Sequence, residues 1–282
     1  MLDAVRAEAL KLRRHLATWM MVWIYPIAIT LIVAGMLVYG AFRAHGVPAP
    51  AQPALEWIRE STTLWKLPAS PPGRFLIAGF CAVVFAGEYG WNTWKLIIPA
   101  RARWQLIAAK WVVALGFLTI ALIAADLITL IGSWLGSFQG DGIPAGVTLA
   151  AVLEAHWQAG AHALLPIVYT IAFAGLFAIL TQSILATGIL SIALVVIEGL
   201  WALIGLFLHQ YVPALTETLV RVLPFYHLAN LKTWASGAGL TMPLGPDAVV
   251  SMSWAMSFAV LMGWILAAAA ATQLRFLRQD LN

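Results

Sequence analysis

The sequence predicts an all-α integral membrane protein with six transmembrane helices, an N-terminal interfacial amphipathic helix and short re-entrant or interfacial helices before the last span. Three observations predict it. Hydrophobic residues make up 62% of the 282, charged residues 10%, and mean hydropathy is +0.88. A soluble domain of this length has no interior large enough for so much apolar side chain. The apolar residues fall into runs of membrane-crossing length, and the basic residues flank those runs. The net charge of +4 therefore reads as membrane topology, not as a nucleic-acid footprint.

Residues 1–15 carry Asp3, Arg6, Glu8, Lys11, Arg13 and Arg14 ahead of a run too long for a signal-peptide core, so they are expected to stay attached as an anchor. Leu2, Val5, Ala9, Leu12 and Leu16 recur at helical spacing, with Asp3 and Arg6, and Glu8 and Lys11, at i, i+3. Such a helix lies on a leaflet with its basic side chains against anionic lipid and Arg13 snorkelling. The simpler alternative is a charged flank that only orients the first span.

Residues 16–282 hold the six spans. Leu16 to Phe42 is free of charge for 27 residues. At a rise of about 1.5 Å per residue, that crosses a hydrocarbon core of about 30 Å with some tilt. Pro26 is expected to kink it. The second span follows Pro71, Pro72 and Arg74, runs from Phe75 and reaches the interface near Glu88. The third occupies Trp111 to Trp134. Between Glu154 and Glu198 lie 43 residues without Lys, Arg, Asp or Glu, too many for one crossing and enough for two. A hairpin follows, with spans near Ala161 to Leu180 and Ile184 to Leu208 and a turn at Thr181, Gln182 and Ser183. The sixth span covers roughly Ala248 to Leu274.

With both termini cytoplasmic, the inner side carries ten basic residues and the outer side six, which satisfies the positive-inside rule. The tryptophans add a check: Trp19, Trp91, Trp94, Trp104 and Trp111 fall near inner boundaries, and Trp65, Trp134, Trp157 and Trp254 near outer ones, as interfacial belts do. Trp201 and Trp264 read as ordinary packing residues.

The segment 88–110 holds Glu88, Asn92, Lys95, Arg101, Arg103 and Lys110 between two apolar runs, so it must leave the hydrocarbon. A helix there would offer Tyr89, Trp91 and Trp94 for burial with Lys95 and Arg101 at the rim, the aromatic-plus-arginine character of a protein interface. Glu88 either caps that helix or pairs with a nearby base. The alternative for the whole segment is an interfacial loop with no protein partner.

Glu8-Ala9-Leu10-Lys11-Leu12-Arg13-Arg14, six spans, and Gly87-Glu88-Tyr89-Gly90-Trp91-Asn92-Thr93-Trp94-Lys95 followed by Arg101, Arg103 and Lys110 together resemble the permease subunit of an ABC type-2 exporter, over nearly the whole chain. The resemblance implies an all-helical half-transporter in the cell membrane that pairs with a second permease copy or a relative. It also implies export, and a coupling helix docked on a separate cytoplasmic ATPase subunit through Glu88, Tyr89, Trp91, Asn92, Thr93, Trp94, Lys95 and Arg101. Trp91-Asn92 departs from the more basic pair that many relatives carry.

The chain contains no G-x-x-x-x-G-K-[ST] phosphate cradle, so it is not expected to be an enzyme, and ATP and Mg²⁺ are expected on the partner with no cofactor here. Energy comes from that partner or from an ion gradient. Asp126 and Glu198, each 14 or 15 residues from its inner boundary, are expected at similar depth in the outer half of the bilayer. They act either as proton carriers of a secondary transporter or as structural or pore-lining groups. Arg221 is a candidate partner for either.

The segment 209–247 is divided by Pro213, Pro224, Pro243 and Pro246, and Leu215, Leu219 and Val222 share a helical face. Short re-entrant or interfacial helices are expected, with Arg221, Pro224, Tyr226 and His227 as candidates for an outer gate. A solvated outer loop is the alternative. The six histidines are dispersed and no H-E-x-x-H occurs, so no metal site is expected. Cys81 is the only cysteine and lies in an apolar run. No Ser-His-Asp arrangement follows from spacing, although an intramembrane enzyme can assemble one in space. Gly35, Gly40, Gly199 and Gly205 are candidates for close helix approach. A pathway lined by apolar and aromatic side chains suits an amphipathic peptide, a lipid or a hydrophobic drug.

Overall fold

The computed structural model describes residues 1–43, 53–91, 93–98, 101–139, 142–234, 238–245 and 248–279. Among these, six helices are long and apolar enough to cross a membrane, as expected, and the rest of the chain caps the two ends of their bundle.

Helix α1 (Leu2–Arg13) has Asp3 in its first turn and Lys11 and Arg13 in its last, each sign where the helix dipole favours it. Val5, Ala9 and Leu12 pack on the bundle core, whereas Leu2 and Leu16 are exposed. His15 is extended, and its Nδ1 accepts the Ala17 N–H at 3.1 Å, which starts α2 (Leu16–Met21). The first crossing helix, α3 (Ile24–Arg43), begins only after a turn at Val22 and Trp23. The expected single rod from Leu16 to Phe42 is therefore two helices. Pro26 sits in the first turn of α3, where N–H groups lack an intrahelical partner, so it opens a helix and does not kink one.

Beyond α3, α4 (Ala54–Ser61) and a 3-10 turn (Thr63–Ala69) lead into α5 (Pro71–Gly90). Ser70 Oγ accepts the Gly73 N–H, and Pro71 opens the first turn. The Tyr25 hydroxyl donates to Gly73 O at 2.8 Å and ties α3 to the head of α5. Ile77, Phe80, Val84 and Phe85 of α5 are fully buried between its neighbours, making it the central helix.

A short α6 (Trp94–Ile97) joins α5 to α7 (Arg103–Ser137), which is followed by α8 (Leu149–Thr181) and α9 (Ile184–His209). The turn between α8 and α9 falls at 181–183, as the polar interruption predicts. Gln182 takes the left-handed conformation (φ 55°), and Ser183 Oγ caps α9 by accepting from Ala186 N. Helices α7 and α8 run 35 and 33 residues, well past the apolar limits Trp111–Trp134 and Ala161–Leu180. A charge marks where hydrocarbon ends, and a helix continues wherever its side chains find partners.

The segment after α9 forms α10 (Pro213–Val222) and α11 (Pro224–Trp234), then a small antiparallel pair, β1 (Met242–Pro243) and β2 (Val249–Val250), before the last crossing helix α12 (Trp254–Leu277). Pro246 and Asp247 lie outside the described residues. Thr216 and Val220 are the buried residues of α10, while Leu215 and Val222 are exposed. Of the helical face named from the sequence, Leu215 and Val222 are thus turned outward, while Leu219 packs on the core beside Val220. The strand pair carries no strong sequence signal, being only two residues long on each side.

Helix α3 approaches α7 closely at Gly132, where an added Cβ would stand 2.5 Å from Val33 Cγ1. Gly132 and Gly136 form G-x-x-x-G in the third span, the close-approach signal that the sequence reading passed over. Of the glycines proposed for that role, Gly40 meets the Gln139 side chain and Gly205 meets Met242 and Leu244, whereas Gly35 and Gly199 face open space.

Candidate functional site

Three polar centres occupy different levels of the bundle. The first lies at the face that holds both termini. Glu88, in the last turn of α5, is 2% exposed and accepts from Lys11 Nζ at 2.5 Å and Lys110 Nζ at 3.2 Å, with the Thr93 hydroxyl bonded to its other oxygen. Glu8 joins the group through Lys11 and through Lys110 at 3.1 Å, and Lys110 also donates to Val84 O at 2.6 Å. Two acids and two bases from α1, α5 and α7 thus neutralise one another in a closed cluster. Of the two roles weighed for Glu88, the structure shows pairing: α6 has no side-chain cap. Burial alone would lower the Lys11 ammonium, but the Glu8 and Glu88 carboxylates outweigh it and hold the group above the ordinary lysine range.

Around this cluster the aromatic residues divide. Trp94 opens α6 but points inward at 3% exposure, packed on Phe276 of α12 with ring centroids 4.6 Å apart and beside Ile107 and Ile179. It is a packing residue and not part of an interfacial belt. Tyr89 is half-buried, and its hydroxyl bonds Gln279, whose amide in turn donates to Ile179 O at 2.7 Å. Arg103 donates to the carbonyls of Phe276, Leu277 and Gln279 and so closes the C-terminal end of α12. Trp91 is the C-cap residue of α5 and stays 44% exposed, its ring over Gly87 and 5.3 Å from His15. Lys95 is exposed, and Arg101 is exposed with an ion pair to Asp3 at 3.0 Å. Asn92 lies outside the described residues.

The second centre is inside the bundle. Arg74 of α5 forms an ion pair with Glu198 of α9, their side chains 4% and 7% exposed. Arg74 Nε also donates to Thr170 Oγ1 at 3.1 Å, and the Tyr169 hydroxyl donates to Glu198 at 2.7 Å while its ring lies 5.3 Å from the guanidinium carbon. The third centre joins α7, α8 and α4: Asp126 accepts from His156 Nδ1 at 2.8 Å, and His156 Nε2 lies 3.0 Å from Ser61 Oγ. Ser61 is buried and its hydroxyl is held by Ile58 O at 2.7 Å.

Arg221 therefore partners neither buried carboxylate. It pairs with Glu217 one turn away at 3.7 Å, on the exposed side of α10. Arg74, which the sequence places just ahead of the second span, takes the expected place beside Glu198. The two carboxylates are also not level. Their partners lie on one helix, His156 and Tyr169 of α8, 13 residues apart and so about 20 Å at about 1.5 Å per residue. The sequence reading started α7 at Trp111, eight residues late.

At the far end, Pro224 opens α11 and is buried, as are Tyr226 and His227. The Tyr226 hydroxyl donates to Leu240 O at 2.8 Å and accepts from Met252 N at 3.0 Å. His227 Nε2 donates to Arg221 O at 2.9 Å, and Nδ1 receives the Ser257 hydroxyl at 3.1 Å, the tautomer the network requires. Burial pushes this imidazole below its usual range, against the pull of the Arg221 carbonyl, and burial likewise raises the Tyr226 phenol. Asn230, absent from the sequence candidates, completes the knot: it donates to Met252 O and Ser257 Oγ and accepts from Leu240 N.

Compared with known proteins, residues 4–198, more than half of the chain, match the family model described as ABC-2 family transporter protein. No curated protein matches the chain.

Proposed function

We propose, for a chain that belongs to the ABC-2 family of transporter proteins, that it is the membrane-spanning permease half of an ATP-driven exporter. Membership gives a multi-pass membrane component that associates in general with an ABC ATPase. Our proposal adds the geometry: both termini in the cytoplasm, the cell membrane as location, ATP and Mg²⁺ on the partner, and a second permease copy or a relative completing the pathway. The substrate is an amphipathic or hydrophobic molecule moved outward, a peptide, lipid or drug.

The observation that carries this is the construction of the terminal face. Helix α6 is wedged between α5 and α7 and pinned from above by Trp94, while Trp91, Lys95 and Arg101 remain at its surface. A partner pressing there would load α12 through Phe276 and α8 through Ile179, and would load α1 through the Glu88 cluster. The docking patch is thus Trp91, Lys95 and Arg101, with Glu88, Thr93 and Trp94 transmitting force from beneath.

Co-purification of the full chain with its ATPase subunit from mild detergent tests this. Trp91→Ala combined with Lys95→Glu should leave the permease inserted and folded but remove most of the bound ATPase. Undiminished association of that variant would overturn the assignment. Against the ion-coupled alternative, Glu198 is held in an ion pair with Arg74, whose guanidinium keeps its charge.

A further inference from the structure

A cavity of about 800 Å³ lies between α3, α7 and the 3-10 turn, at the end of the bundle away from the termini. Its deep wall is apolar: Ile29, Val33 and Leu37 of α3 face Leu64 and Leu67 of the turn. From Ile29 to Leu37 that wall descends about 12 Å at about 1.5 Å per residue. The polar atoms along it are largely consumed internally. Thr129 donates to Ala125 O at 3.0 Å, Ser70 to Leu67 O at 2.6 Å, and Gln139 to Leu37 O at 2.9 Å. What they present to the cavity is mostly hydrocarbon.

The shallow end is different. Lys66 and Glu60 both line it and both are exposed, and Lys66 makes no hydrogen bond or ion pair among the described residues. An apolar slot ending at an exposed base is complementary to an acyl chain whose headgroup carries a phosphate. The slot opens beside α3, whose Leu31, Ile32 and Met36 are exposed on the flank that a bilayer would cover. An occupant can therefore enter sideways from the leaflet.

We infer that this cavity is a lipid site: one acyl chain of a phospholipid lies between α3 and α7, its phosphate on Lys66. The site is separate from the terminal face and does not depend on coupling to an ATPase. Ser133 and Gly136 of α7 form its back wall, so bulk added at Ser133 occupies the space of the chain.

The test uses the full chain in nanodiscs doped with a phosphatidylethanolamine that carries a diazirine in its acyl chain. Photo-adducts are mapped by mass spectrometry. Adducts should concentrate on residues 29–37 and 129–139, and Ser133→Trp should remove them while leaving adducts on α9 and α12 unchanged. Lys66→Ala, a surface change that leaves the fold intact, should lower the phospholipid adduct about fivefold, the effect of about one near-surface charge. It should leave the adduct of a diazirine fatty alcohol, which has no phosphate, as it was. Adducts spread evenly over every lipid-facing helix in the unsubstituted protein would overturn the site. Equal loss of both probes in Lys66→Ala would overturn the phosphate assignment.

Discussion

Replacing Glu198 by Ala removes one side of the buried pair and leaves Arg74 with only Thr170 and the face of Tyr169. A guanidinium cannot shed its charge, so the orphaned cation must be carried inside the bundle. Breaking a buried pair from one side costs about 3 to 5 kcal/mol. Arg74→Ala should be milder, because the stranded Glu198 can take up a proton and keep its bond from Tyr169. Arg74→Ala with Glu198→Ala removes both charges and should cost clearly less than the two single losses together. The assay is denaturant unfolding in micelles for the two single changes and the double change, read as a mutant cycle. A stability for Glu198→Ala within about 0.5 kcal/mol of the parent, or losses that simply add in the double variant, would refute the pairing as a structural element.

Gly132→Leu should destabilise by about 1 to 3 kcal/mol through overpacking against Val33, and Val33→Ala should recover part of that, measured as a shift in melting temperature. His227 is kept neutral below its usual range, so the unfolded chain takes up its proton first. Stability is then full above about pH 6.5 and falls as pH drops below it, by at most about 1.4 kcal/mol per unit, and His227→Gln should flatten that slope in a pH series of unfolding curves. Lys11 behaves oppositely, being held above its usual range by Glu8 and Glu88: its contribution is complete below about pH 10.5 and is lost above it, a loss that Lys11→Met should abolish in alkaline melts. Trp94→Ala should cost about 3 to 5 kcal/mol of folding stability through loss of the Phe276 contact, whereas Trp91→Ala should stay within about 1 kcal/mol of the parent in the same assay.

The crossing helices were legible in the sequence because hydrocarbon excludes charge so strongly that a run without it reads directly as a span. The same rule misled wherever a charge found company. Lys110 and Arg74 looked like boundaries, yet both are buried, the first by Glu8, Glu88 and Val84 O and the second by Glu198 and Thr170. Partners separated by 22, 102 and 124 positions leave no local trace. Trp91 and Trp94 are alike in composition and spacing, and only the packing of α12 under α6 separates the exposed ring from the buried one. Gly132 and Gly136, by contrast, were readable from spacing alone.

The charge cluster at the terminal face bears on how force could travel in the proposed transporter. Glu88 ends α5, Lys110 lies within α7, and Glu8 and Lys11 lie on α1, so four ion pairs tie the three helices together, two of them, Lys11 to Glu88 and Lys110 to Glu8, crossing to α1. That makes the end of α5, the body of α7 and α1 one rigid unit. Helix α1 is then a strut whose exposed Leu2 and Leu10 meet lipid while Leu12 stays locked to the core. Under this proposal a load applied at Trp91 and Lys95 is borne by the unit as a whole. Glu8→Ala tests this: by freeing α1 it should weaken the link between ATP hydrolysis and transport while leaving ATPase binding unchanged. Loss of binding together with transport would place Glu8 in the docking surface instead.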